Sequence, residues 1–314
     1  MKVYLEYEKF REILLEVLRE IFGYAAVVVR KICKDNDVER EAFCIRPKDE
    51  KDVEIPLAYP EDCYRDYMEC GISLKQCVKR IVDMQKQMEQ KSILSQTKYK
   101  LMDWDSIKTE IYPILLSTEL NRKSPKGVIK RELMDLSIVY VVRLVMGEGC
   151  CCQIKITEPM LKSYGISVME LHNQAVLNVK KDGYKFQRME DMILGVLNEQ
   201  EETKERIDPA SECWPVDEAE ETKMYVLTNS LRMFGAAGIL DREFLKDKLG
   251  EKNYYMLPSS VHEMIFVPAV EGADWKALNC MVREVNASEV LEEERLSDHC
   301  YFYEGKTGKL RTCA

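Results

Sequence analysis

Phe10, Ile13, Leu14, Val17, Leu18 and Ile21 recur at intervals of three and four, with Glu and Arg between them. That period predicts an amphipathic helix over 7–21 that buries one face and stops at Gly23. The pattern then changes. Residues 25–32 are apolar and β-branched, and 42–45 repeat the character. Asp35-Asn36-Asp37 lies between them and supplies turn chemistry, so a hairpin is expected, with a third strand at 54–57. Pro60 opens a helix through Cys63, Tyr64, Tyr67 and Met68 that Gly71 closes. Ser73 caps the next, which runs through Leu74, Val78 and Ile81. From 85 to 100 the chain is polar and rich in Gln and Lys, a helix tail followed by a linker.

Helices are expected at 104–118, kinked or broken at Pro113, and at 130–134. Strands follow at 136–145 and 150–156, joined by Gly147-Glu148-Gly149. Pro159 starts a helix that Gly165 stops, and Ser167 caps one through Met169, Leu171, Ala175 and Leu177. The order hairpin, helix, Gly-Ile-Ser, helix thus occurs twice, around Gly71 and around Gly165. A third instance has strands at 224–228 and 236–240 and a helix at 242–249 ended by Gly250, with further strands at 254–257 and 264–267. The expected class is α+β: about three ββα-like units, each a hairpin followed by a helix, with an N-terminal helix and extra C-terminal strands. The chain divides accordingly. Residues 1–95 hold the first helix and unit, 96–198 the middle helices and second unit, 199–222 an acidic linker, and 223–314 a C-terminal αβ unit.

Composition narrows the class further. Of 314 residues 46% are hydrophobic and 32% charged, which suffices for a core and excludes disorder or a collagen-like chain. The net charge of -9 gives no overall basic field for nucleic acid or anionic lipid. No apolar run approaches the ~18 residues that span a bilayer. Residues 1–10 mix Lys and Glu into the apolar positions, unlike a secretory signal, so a cytoplasmic protein with reduced thiols is expected. The 12 cysteines include no C-x-x-C. On a strand, Cys150, Cys151 and Cys152 alternate faces and do not suit one tetrahedral ion. Neither a metal nor a cofactor is expected.

Candidate chemistry centres on Pro258-Ser259-Ser260-Val261-His262-Glu263. A hydrolase would use Ser259 or Ser260 as nucleophile with His262 as base, or His262 and Glu263 as an acid–base pair. Against this, no G-x-S-x-G surrounds either serine, and adjacent strand residues face opposite sides. The other reading makes the serines a turn between strands, with a His262 ring nitrogen donating to a nearby carbonyl or carboxylate. Thr228 and Asn229 precede Gly235-Ala236-Ala237-Gly238, where small residues admit a ligand or another backbone, which makes them ligand-binding candidates. The phosphate-binding G-x-x-x-x-G-K-[ST] and G-x-G-x-x-G patterns are missing. His172 and His299 stand in no metal-binding spacing. These observations favour a non-catalytic protein that binds a ligand or macromolecule, a protein partner included. The alternative is a hydrolase at the Pro258 to Glu263 segment.

Several strings together resemble one known family. They are Tyr225-Val226-Leu227-Thr228-Asn229, Gly235-Ala236-Ala237-Gly238-Ile239-Leu240 and Leu257-Pro258-Ser259-Ser260-Val261-His262-Glu263. Asp135-Leu136-Ser137-Ile138-Val139-Tyr140 and the Tyr59 to Tyr64 stretch before Gly71-Ile72-Ser73 add to them. The chain is similar to an uncharacterised bacterial family common in gut anaerobes, the domain of unknown function five-six-eight-eight, from about Phe10 to Tyr303. It has Asp37-Val38-Glu39 where the resemblance implies an Asn-Gly-Val-like turn. The family implies no activity.

Overall fold

The structure is a computed structural model that describes residues 4–46, 55–90, 101, 103–123, 127–147, 150–200 and 223–313. The chain forms two compact units, Met1–Leu101 with Leu144–Cys152, and Met102–Arg143 with Gln153–Ala314. Among the described residues it is mixed α and β, with several helices and three antiparallel sheets. The acidic stretch at 199–222 lies, beyond Gln200, outside the described residues.

In the first unit α1 (Tyr7–Phe22) turns Phe10, Leu14 and Leu18 inward, the face its period predicts. Strands β1 (Val27–Cys33), β2 (Glu39–Ile45) and β3 (Ile55–Ala58) form a sheet in chain order. The β1–β2 turn places both Asn36 (φ 58) and Asp37 (φ 57) in the left-handed region, which Asn and Asp tolerate better than most residues. Helices α2 (Pro60–Glu69) and α3 (Leu74–Gln90) complete the unit. One core joins Phe10 and Leu14 of α1, Val27 and Phe43 of the sheet, and Cys77 and Ile81 of α3. Buried Arg40 pairs with Glu61 and Asp62 and so ties β2 to the first turn of α2.

The second unit corrects the expected helices at 104–118 and 130–134. Helix α4 (Trp104–Ile107) is one turn long, and after a 3-10 turn the chain becomes β4 (Ile111–Ser117), buried along its whole length. A short continuous apolar run fits a buried strand as well as a helix, and β-branching tips it to strand. Pro113 is tolerated because β4 pairs only with β6 and so lies at a sheet edge. Residues Lys130–Leu133 form β5, which alternates exposed and half-buried positions. A two-residue turn at Met134 (φ 57) and Asp135 joins it to β6 (Leu136–Gly147). Strand β7 (Cys150–Lys155) pairs with β6, and helices α5 (Glu158–Tyr164) and α6 (Val168–Asp182) follow. Ser167 accepts from the Glu170 amide while Glu170 returns to the Ser167 amide, a capping box at α6.

The larger sheet has the order β13-β12-β10-β11-β9-β8. Its strands are β8 (Tyr184–Arg188), β9 (Tyr225–Asn229), β10 (Tyr254–Ser260), β11 (Glu263–Pro268), β12 (Tyr301–Glu304) and β13 (Lys309–Thr312). Helix α7 (Met189–Gln200) follows β8 and α8 (Arg242–Leu249) precedes β10. Helix α9 (Trp275–Ser288) packs Trp275, Leu278 and Val282 on Leu257 and Cys300 of the sheet region. The strand expected at 236–240 is instead a buried 3-10 segment, Gly235–Leu240. The third ββα-like unit therefore lacks its second strand. Its four small residues lie against β9 with no room for the alternating side chains of a strand: a methyl at Gly238 would sit 3.1 Å from Leu227.

Candidate functional site

The loop between β9 and the 3-10 segment is built around Asn229. Its Oδ1 accepts from the amides of Leu231 (3.1 Å) and Met233 (3.2 Å), and its Nδ2 donates to the Met233 carbonyl (2.7 Å). Asn is suited to this because its amide can act as a piece of backbone. Two non-glycine residues in the loop take left-handed backbone, Arg232 (φ 51) and Phe234 (φ 54). Such residues cost of order 1–3 kcal/mol each and persist only where the surroundings fix them. Beyond them Gly235 approaches β9 so closely that a Cβ would lie 2.6 Å from Thr228 Oγ1 and 2.7 Å from the His262 carbonyl oxygen. Thr228 donates its hydroxyl to that same carbonyl (3.0 Å).

His262 provides the fixing from the opposite side. Its Nδ1 accepts from the Phe234 amide at 3.0 Å, and its Nε2 faces Glu294 Oε1 at 3.2 Å. An imidazole that accepts at Nδ1 carries its proton on Nε2, the nitrogen that lies against the Glu294 carboxylate. The Phe234 ring packs edge-on to it, with centroids 5.2 Å apart. Ser260 accepts from the His262 amide (3.0 Å), and the Val261 amide donates to the Glu294 carbonyl (2.9 Å). Pro258, Ser259 and Ser260 remain in β10, and the turn falls on Val261 and His262, later than the sequence suggests. Neither Ser259 nor Ser260 is hydrogen-bonded to the ring; both ring nitrogens already have partners. Glu263 begins β11, and its burial raises its pKa against the opposing charge of Arg232.

The same loop forms one wall of a small open cleft lined by Tyr112, Arg143, Gln153, Asp182, Asn229 and Phe234 among others. Arg143, 9% exposed, pairs with Asp182, and its guanidinium carbon stands 3.4 Å from the centre of the Tyr112 ring. Tyr112 donates to the other Asp182 oxygen at 3.0 Å. Burial pushes the Tyr112 hydroxyl up to about 12, with Arg143 opposing and Asp182 adding to the rise. Arg143 Nε is buried without a hydrogen-bond partner. A stacked, paired arginine of this kind is a positioned hydrogen-bond donor rather than a mobile surface charge.

The other two histidines sit elsewhere in this unit. His172 Nδ1 meets the Tyr140 hydroxyl at 3.0 Å, and burial together with the charge of Arg131 lowers its pKa. His299 places Nδ1 3.0 Å from the Cys300 carbonyl and Nε2 3.0 Å from Asp135 Oδ2. Both partners are acceptors, so the ring is an imidazolium, and the hydrogen bond to Asp135 leads the rise in its pKa. Among the described residues no group of His, Cys, Asp and Glu is placed to hold a metal, and no helix is long and apolar enough to cross a membrane.

Thr228, Asn229, Ser260 and His262 thus meet around one loop, although they belong to two separate sequence motifs. Tyr112, Arg143, Asp182, Phe234 and Glu294 lie outside both motifs. Arg143 carries a readable signal, as the one charge in the apolar run 136–145. Glu294, in an acidic triplet past α9, carries none.

A family model matches residues 7–305, and its description is family of unknown function (DUF5688). The chain belongs to that family. The resemblance carried by the β9, 3-10 and β10 strings is therefore borne out, and it extends over nearly the whole chain. Comparison with curated proteins gives no match, and neither does comparison with solved structures.

Proposed function

We propose that this member of the DUF5688 family is a non-catalytic binding protein whose recognition element is the loop from Asn229 to Phe234 and the cleft beside it. One observation carries the reading: the Nδ1 of His262 is engaged in holding that loop through the Phe234 amide, while its Nε2 lies against the Glu294 carboxylate. A general base needs a nitrogen open to the proton it removes, and this ring offers none. Held so, the loop presents Leu231, 48% exposed, and exposed Arg232. A preformed loop loses little entropy on binding, which suits recognition. Thr228 and Asn229 belong to the scaffold of the site on this reading, and Leu231, Arg232 and Arg143 would meet the ligand. The chain order hairpin, helix, Gly-Ile-Ser, helix at 25–90 and 136–182 supports an ancestry of related units, and the binding reading does not depend on it.

The test is a thermal-shift screen of the full chain against small carboxylates, amides and phosphates, run beside an ester and phosphoester hydrolysis panel. The expected result is a stabilising compound whose shift is lost in Leu231→Ser/Arg232→Ser. Turnover that disappears in Ser260→Ala or His262→Ala would instead establish the hydrolase.

A further inference from the structure

Helix α9 is turned with two amides inward. Buried Asn279 donates to the Cys313 carbonyl (2.7 Å) and accepts from the Cys300 amide (2.8 Å). Buried Asn286 donates to the Ser297 carbonyl (3.0 Å) and to Asp298 Oδ1 (2.8 Å). These four bonds fix the rotation of the helix, because rolling it would leave buried polar groups without partners. The fixed rotation leaves Met281 53% and Val285 39% exposed, and Leu291 just past the helix is 36% exposed. Met281 and Val285 are four residues apart and share one flank. Charge is divided across the helix. Lys276 and Arg283, seven apart, occupy the other flank, whereas Glu284 follows Met281 by three and Glu289 follows Val285 by four. Glu284 and Glu289 thus give the apolar flank a carboxylate border towards the C-terminal end of the helix.

We propose that this flank of α9 docks a basic amphipathic helix of a partner protein. Apolar side chains of the partner would cover Met281 and Val285, and its Lys or Arg residues would face Glu284 and Glu289. An apolar centre with a charged rim is the usual plan of a specific interface, and the acidic rim together with the net charge of -9 selects a basic partner. The inference goes beyond the loop at Asn229 and does not depend on it.

The experiment uses the full chain and a fluorescein-labelled synthetic helix of Leu and Lys, read by fluorescence anisotropy. Saturable binding is expected, weakened about tenfold or more in Met281→Ser/Val285→Ser, as for truncation of central anchors. Glu284→Gln/Glu289→Gln should weaken it too and flatten its salt dependence, while a Leu and Glu peptide should not bind. Thermal melts of the variants confirm that they fold. Binding that ignores the apolar substitutions would be general attraction to an acidic chain and would overturn the proposal, as would no binding at all. A wild-type dimer in sedimentation that the Met281→Ser/Val285→Ser chain lacks would also overturn it, by assigning the flank to a second copy.

Discussion

His262 and His299 show how partners alone set the protonation state of one residue type. The first accepts a hydrogen bond from the Phe234 amide, so its Nδ1 carries no proton; the second faces a carbonyl and a carboxylate and is charged. Replacing His262 with Ala removes its bond to the Phe234 amide and its contact with Glu294 and should destabilise the fold by ~1–3 kcal/mol. The Phe234 amide should also lose protection in hydrogen exchange. A variant that melts like the parent, with Phe234 still protected, would show that the ring does not hold the loop. His299 makes a pH prediction. The bond to Asp135 raises its pKa above the ordinary value of about 6.5, so its stabilisation is complete below that pH and is lost as pH rises through the folded-state pKa. Burial alone would raise the Asp135 pKa, but His299 brings it below the usual value, so the same pair also fails as pH falls through that lowered value. The melting difference between the parent and His299→Gln should therefore be largest in mildly acidic buffer and shrink on either side. A difference constant with pH would refute the ion pair.

Elements were legible where pattern and punctuation agreed. The period of α1, the Ser73 and Ser167 caps, and the Gly71 and Gly165 stops all mark element ends that the structure keeps. They failed where a buried run lacked a period. Ile111 to Ser117 and the small residues from Gly235 are buried on every side, so alternation, the signal that separates strand from helix, is absent. Helix α9 went unread because its inward face is partly Asn, a residue that hydropathy places outside. The site was legible only in pieces: Thr228, Asn229 and His262 stood out as motifs, but their meeting at one loop is set by the β9–β11 pairing. Glycines at this scale differ in what they protect. Gly165 stops α5 with φ 66 and open space around it, so Gly165→Ala should cost about 1–2 kcal/mol of backbone strain. Gly235 has the opposite problem: its added methyl would collide with Thr228 and the His262 carbonyl. Gly235→Ala should then exceed Gly165→Ala in urea denaturation, with about 1–3 kcal/mol or more for overpacking. Equal midpoints for the two variants would contradict the close approach of the 3-10 segment to β9.

Across the whole molecule the cysteines connect composition to structure. The side chains of eight of them are described, all as free thiols, and they differ widely in surroundings. Cys33, Cys70 and Cys280 are exposed, Cys44, Cys77 and Cys300 are buried, and Cys63 lies between. Burial pushes Cys63 and Cys300 up to about 12, with Cys77 adding to the first and Cys313 to the second. Cys63 and Cys77 pack in the core of the first unit, and Cys300 with Cys313 under α9 in the second, so these thiols report on both units at once. The thiolate is the reactive form, and a buried thiol with a raised pKa must wait for an opening of the fold. Labelling native protein with N-ethylmaleimide, followed by site-resolved mass spectrometry, should give fast modification at Cys33, Cys70 and Cys280. Cys63, Cys77 and Cys300 should react slower by an order of magnitude or more, and all should equalise in denaturant without reductant. If Cys63 and Cys77 slow together while Cys300 reacts fast, the second unit opens independently of the first. Fast reaction at all three in native buffer would contradict the packing of both cores.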